Sequence, residues 1–122
     1  MKRKVSVLAL SVLLAGCAAS RASEPSAGYC KGMTQVANVM QGWHGSMTDH
    51  QATTTLAKAY LALADAAAYD FGGKTQLDVT AFSDDVGRLK LAIDNGAGID
   101  RALAAVSQAI PRLPACAGSS SP

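Results

Sequence analysis

DVTAFSDDVGRLKLAIDNG, residues 78–96, carries the pattern that decides the fold. Val79, Phe82, Val86, Leu89 and Ile93 recur at steps of three, four, three and four. At 3.6 residues per turn those steps gather five apolar side chains on one helical face, whereas a strand would need strict alternation with period two. Asp78 has the side chain of an N-cap, because its carboxylate can accept from backbone N–H groups left unpaired at a helix start. Asn95-Gly96 is a helix stop. The spacing predicts an amphipathic helix capped by Asp78 and closed at Asn95-Gly96.

The same rhythm repeats on either side. Upstream, Tyr29, Met33, Val36, Met40 and Trp43 form one stripe, ending near Gly42 to Gly45. Thr48 followed by Gln51 three residues later has the form of a capping box. Leu56, Tyr60, Leu63 and Ala67 then give a second stripe, which Gly72-Gly73 is expected to stop. Downstream, Ile99, Leu103, Val106 and Ile110 make a fourth, with Asp100 in a first turn where the helix dipole favours an anion and with Pro111 and Pro114 closing it. No stretch alternates long enough to be a strand. The prediction is an all-α fold, a small antiparallel four-helix bundle of up-down-up-down order over residues 29–116. Abundant alanine and only 5% aromatic residues suit closely packed helices. A chain of 122 residues is long enough for one such domain and too short for two.

The start of the chain reads differently. Met1-Lys2-Arg3-Lys4 is basic, and Val5 to Ala15 is an apolar run of eleven residues, well short of the ~20 needed to span a bilayer. It ends in Leu14-Ala15-Gly16-Cys17, which resembles the lipobox of bacterial lipoproteins at all four positions. The resemblance implies a signal peptide over residues 1–16 and a mature chain that begins at Cys17 with its sulfur diacylated. It places the protein in the bacterial cell envelope, lipid-anchored on the extracytoplasmic side of the cell membrane or outer membrane. Two or more acyl chains anchor stably at ~0.8 kcal/mol per buried methylene. Residues 17–28 are small and polar and read as a flexible tether; residues 117–122, rich in Gly, Ser and Pro, read as a disordered tail.

Cysteine arithmetic follows from that anchor. Three cysteines are an odd number for an exported chain, and lipidation of Cys17 leaves Cys30 and Cys116, one near each end of the domain. They are too far apart in sequence for a CxxC motif, and an exported compartment permits disulfides, so a bridge tying the two ends is expected. Up-down-up-down order would bring those ends together. Removal of Lys2, Arg3 and Lys4 also leaves eight basic against nine acidic residues, a net charge of −1. No basic patch remains to argue for nucleic acid.

Few side chains suggest chemistry. His44, Met47, Asp49 and His50 gather around the first turn, and His44 and His50 are the weak candidates for a metal site. Their spacing of six does not share a helix face, and no HExxH or CxxCH accompanies them. Asp84-Asp85 is a carboxylate pair, but adjacent helical residues point about a hundred degrees apart, and Asp84 is spaced to pair with Arg88 instead. Lys90 and Asp94 have the same spacing. Gly96-Ala97-Gly98 lacks the preceding strand and the lysine of a phosphate loop and reads as a helix connection. No GxSxG elbow occurs. No catalytic group and no cofactor is assigned. The expectation is a non-enzymatic structural or protein-interaction module, anchored to the membrane through Cys17 and facing another envelope protein or a cell-wall component. The alternative is a carrier or sensor holding a small ligand or metal at the His44–His50 turn or inside the bundle.

Overall fold

Ser26 opens the first helix. Its backbone is extended, its hydroxyl oxygen accepts from the Tyr29 N–H at 3.1 Å, and its carbonyl accepts from the Cys30 N–H at 3.1 Å. These bonds come from a computed structural model that describes residues 26–43 and 45–116. The signal segment, Cys17, the chain up to residue 25, His44 and the tail 117–122 lie outside the described residues.

Four α-helices follow in order: α1 (Ala27–Gly42), α2 (Asp49–Tyr69), α3 (Gly73–Asn95) and α4 (Ile99–Ala109), the last running into a single 3-10 turn at Ile110–Arg112. The described residues are all-helical, with no strand. Each helix packs on the one that follows it in the chain. Tyr29, Val36, Val39, Leu56, Leu63, Val79, Phe82, Val86, Leu89 and Val106 are fully buried in one continuous core. Ala52, Ala59, Ala66 and Ala67 supply most of the rest of α2's inner face, and such small side chains let helix axes approach closely.

Several boundaries differ from the sequence reading, each for a local reason. The first helix starts at Ala27 and not at Tyr29, because the Ser26 cap draws Ala27 and Gly28 into its first turn. Asp78 does not cap α3. Residues 74–77 contain no helix breaker, so the helix begins at Gly73 behind an extended Gly72, and the Asp78 carboxylate instead accepts from Lys74 Nζ at 2.7 Å, one turn back. Gly72-Gly73 does not stop α2 either; that helix ends at Tyr69, where the Asp70 N–H closes on the Ala66 carbonyl, while Gly72 is the N-cap of α3 and Gly73 its first residue. Tyr60, placed on the inner stripe by its spacing, is 37% exposed. Its ring lies over Gly87 of α3.

The other end of α3 follows expectation. Gly96 is left-handed, its N–H reaches the Ala92 and Ile93 carbonyls, and the Ala97 N–H returns to Ala92 at 3.1 Å. Gly98 is left-handed too, at φ 72°. Positive φ at both positions explains why a Gly-Ala-Gly sequence joins α3 to α4 in so few residues.

Cys30 and Cys116 form a disulfide across 86 residues of sequence, with Cα atoms 5.7 Å apart. Closing a loop of that length removes denatured-state entropy equivalent to about 4.5 kcal/mol on the chain-entropy model. Beside it, the Tyr29 hydroxyl donates to the Pro114 carbonyl oxygen at 2.7 Å, and the Tyr29 ring meets Phe71 edge-on at 5.1 Å between centroids. Burial pushes the Tyr29 phenol up to about 12, so the hydroxyl remains a donor through the neutral range.

Two interior glycines test the packing with one substitution of opposite sign. A Cβ on Gly32 would lie 2.9 Å from Leu63 Cγ, inside contact distance of a fully buried side chain. Gly32→Ala is expected to destabilise by about 1–3 kcal/mol. On Gly87 the nearest atom is Tyr60 Cδ1 at 3.4 Å, an ordinary contact against a ring that can move. Gly87→Ala is expected to stabilise by about 0.5–1 kcal/mol, because the helix interior no longer carries glycine's entropy. Urea unfolding of the two variants checks both signs.

Candidate functional site

Among the described residues, Met47 lies in the link between α1 and α2, and Asp49 and His50 open α2 directly after it. The Gly42 carbonyl ends α1 by accepting two N–H groups, from Gly45 at 2.9 Å and from Met47 at 3.0 Å. Met47 then folds its side chain back over Gly42. Thr48 and Gln51 form the capping box that their spacing predicts. The Thr48 hydroxyl accepts from the Gln51 N–H at 3.1 Å, and the Gln51 side-chain oxygen accepts from the Thr48 N–H at 2.9 Å.

Across this link the Trp43 indole N–H donates to Asp49 Oδ1 at 2.9 Å. The carboxylate sits in the first turn of α2, where the partial positive charge of the helix start favours it, and it accepts a second interaction from the end of α1. Trp43 itself is half-buried against the core. Asp49 therefore acts as a clasp between two helices, with its Oδ1 already bonded to an indole. The periodicity places Trp43 on the apolar stripe of α1 and does not identify this polar contact. A tryptophan at the end of one helix and a carboxylate in the first turn of the next was the signal available.

His50 is exposed on the first turn of α2, and its carbonyl accepts from the Thr53 hydroxyl at 3.2 Å. Its proposed companion His44 lies outside the described residues. Among the described residues, no three His, Cys, Asp or Glu side chains converge so as to hold a metal ion. Cys17, the candidate lipidation site, also lies outside them, whereas Cys30 and Cys116 are brought together as described above.

The carboxylates of α3 are placed differently from the sequence reading. Arg88 pairs with Asp85 at 3.1 Å, one turn away at i,i+3, and not with Asp84, which is exposed. Lys90 and Asp94 do pair, at 2.7 Å. Both pairs are surface contacts along a single helix, of the kind that contributes well under ~1 kcal/mol each. The buried hydroxyls of Thr53 and Ser83 are satisfied by carbonyls one turn back in their own helices. Gln35 Oε1 on α1 is buried without a hydrogen-bond partner among the described residues, and no spacing in the sequence marks it.

No protein-family model, curated protein or solved structure matches this chain. Functional argument rests on its own residues. Among the described residues no helix is long and apolar enough to cross a membrane.

The link gives a direct test of metal binding. A site occupied at a hundredfold excess over its dissociation constant would add about 2.7 kcal/mol, several degrees in melting temperature for a domain of this size. We expect Zn²⁺, Cu²⁺ and Ni²⁺ to leave the melting temperature unchanged, and His44→Ala with His50→Ala to leave the fold unchanged. A metal-dependent rise of several degrees that the double variant abolishes would instead establish a carrier site.

Proposed function

We propose that this chain is a bacterial envelope lipoprotein, anchored through an acylated Cys17 and carrying a rigid, non-enzymatic interaction domain on the extracytoplasmic side of the membrane. The cysteine count carries the reading. With Cys30 bonded to Cys116, Cys17 is the cysteine left over, and it stands at the position where Leu14-Ala15-Gly16 completes a lipobox behind a basic start and an apolar run. A disulfide is also the bond expected of an oxidising, extracytoplasmic address.

The domain is an up-down-up-down antiparallel bundle. Short links at 70–72 and 96–98, helix-on-next-helix packing and a bridge from the first turn of α1 to the segment after the 3-10 turn all support that order. Residues 17–25 serve as the tether. The partner is another envelope protein or a cell-wall component, contacted by exposed helix faces or turns. Nucleic acid is not a partner, since the mature chain has no cationic excess.

Metabolic labelling with palmitate tests the anchor. Label is expected in the wild-type protein and not in Cys17→Ser, whose export or maturation is blocked. An unlabelled wild-type protein whose signal is cleaved elsewhere than before Cys17 would make it an ordinary secreted domain.

A further inference from the structure

The end of the domain that receives the tether is also where its most exposed large apolar side chains lie. The Tyr29 ring packs on Phe71, so the α2–α3 link sits against the first turn of α1, immediately beyond Ser26. Tyr69, the last residue of α2, is 82% exposed, and Leu77, one turn into α3, is 70% exposed. On the outer side of α2, Tyr69 lines an open hollow together with Ala68, Leu61 and the exposed carboxylate of Asp65. Lys31, Lys74 and Arg112 are exposed at the same end, against Asp70 and Asp78.

We infer that this end is a membrane-docking surface, and that Tyr69 and Leu77 rest in the headgroup region of the bilayer that holds the Cys17 acyl chains. The inference rests on the lipoprotein reading. Its physical basis is reach. Cys17 lies nine residues before Ser26, and nine residues span at most about 32 Å when fully extended. The domain is thus confined to a layer about as deep as its own longest helices. Within it, contact between protein and lipid is effectively intramolecular, and a weak surface suffices. These few side chains fall far short of the roughly 20–30 residues a side of a stable protein interface. They match a bilayer surface, where tyrosine favours the headgroup level and lysine stems reach toward phosphate. Trp43 lies fourteen residues along α1 from Tyr29, about 21 Å away along the helix axis. The Trp43–Asp49 link therefore faces away from the lipid, toward the envelope space where a partner would meet it.

Depth-dependent quenching tests this with the acylated full chain in phosphatidylethanolamine–phosphatidylglycerol vesicles containing acyl-brominated lipid. Trp43 is the only tryptophan, so the wild-type protein reports the far end and the Trp43→Phe, Tyr69→Trp variant reports the docking end. The mass of the N-terminal peptide establishes acylation in each sample. The expected result is blue-shifted, quenched emission from position 69, unquenched emission from Trp43, and loss of the position-69 quenching when Leu77→Asp is added. Acylated protein with no quenching at position 69, or with equal quenching at both positions, would overturn the docking surface and leave the anchor standing. An unacylated N-terminus would overturn the anchor and the docking surface together, and the peptide mass distinguishes the two failures.

Discussion

Closure of the chain on itself is the constraint on which the rest of the domain depends. Tyr29 and Cys30, in the first turn of α1, are tied to Pro114 and Cys116 by a 2.7 Å hydrogen bond and a disulfide. The need for this is visible in the helix lengths. Helix α3 has 23 residues and α4 only 11, a difference of about 18 Å at 1.5 Å per residue. A helix so short cannot return the chain to the level of α1. The 3-10 turn and the extended segment after it cover the remaining distance, with Leu113 buried on the way. Such a segment has few backbone bonds of its own to hold it, so the bridge and the tyrosine hydroxyl fix it.

The same closure divides the domain into two ends of different character. At one, Tyr29 meets Phe71 and Pro114 beside the disulfide, and Tyr69 and Leu77 are exposed. At the other, hydrogen bonds dominate: the capping box, the doubly accepting Gly42 carbonyl and the Trp43–Asp49 clasp. We propose that the first end faces lipid and the second faces a partner. Under the lipoprotein reading, the disulfide persists because an extracytoplasmic space lacks the reducing systems that would cleave it.

Much of the fold was legible in the sequence because its signals are local. Helical periodicity, the Thr48–Gln51 box and the Asn95-Gly96 stop depend on residues within a turn of each other, and all three recur in the structure. The start of α3 was misplaced because a good capping residue, Asp78, stands in a segment that is helical without it. The spacing of Tyr60 fits the core stripe, but its ring lies at the edge of the α2–α3 contact, over Gly87 and partly exposed. The Tyr29–Pro114 bond spans 85 residues and the Trp43–Asp49 clasp crosses a link, and neither has a periodic signature. Gln35 and the close approach at Gly32 are likewise properties of neighbours that only folding brings together. For the candidate site, the sequence groups Asp49 with the ligand-capable side chains of the α1–α2 link, and its bond to the Trp43 indole has no local signature because the donor lies on the other side of that link.

Equilibrium urea unfolding of the oxidised and the reduced, alkylated protein tests the dependence on closure most directly. If closure holds the domain together, reduction lowers the unfolding free energy by about 4 kcal/mol or more, and hydrogen exchange speeds first in residues 110–116 while the amides of α2 and α3 remain the slowest. If reduction leaves the urea midpoint and the protection of residues 110–116 unchanged, the helices hold the chain ends in place by themselves and the closure is incidental.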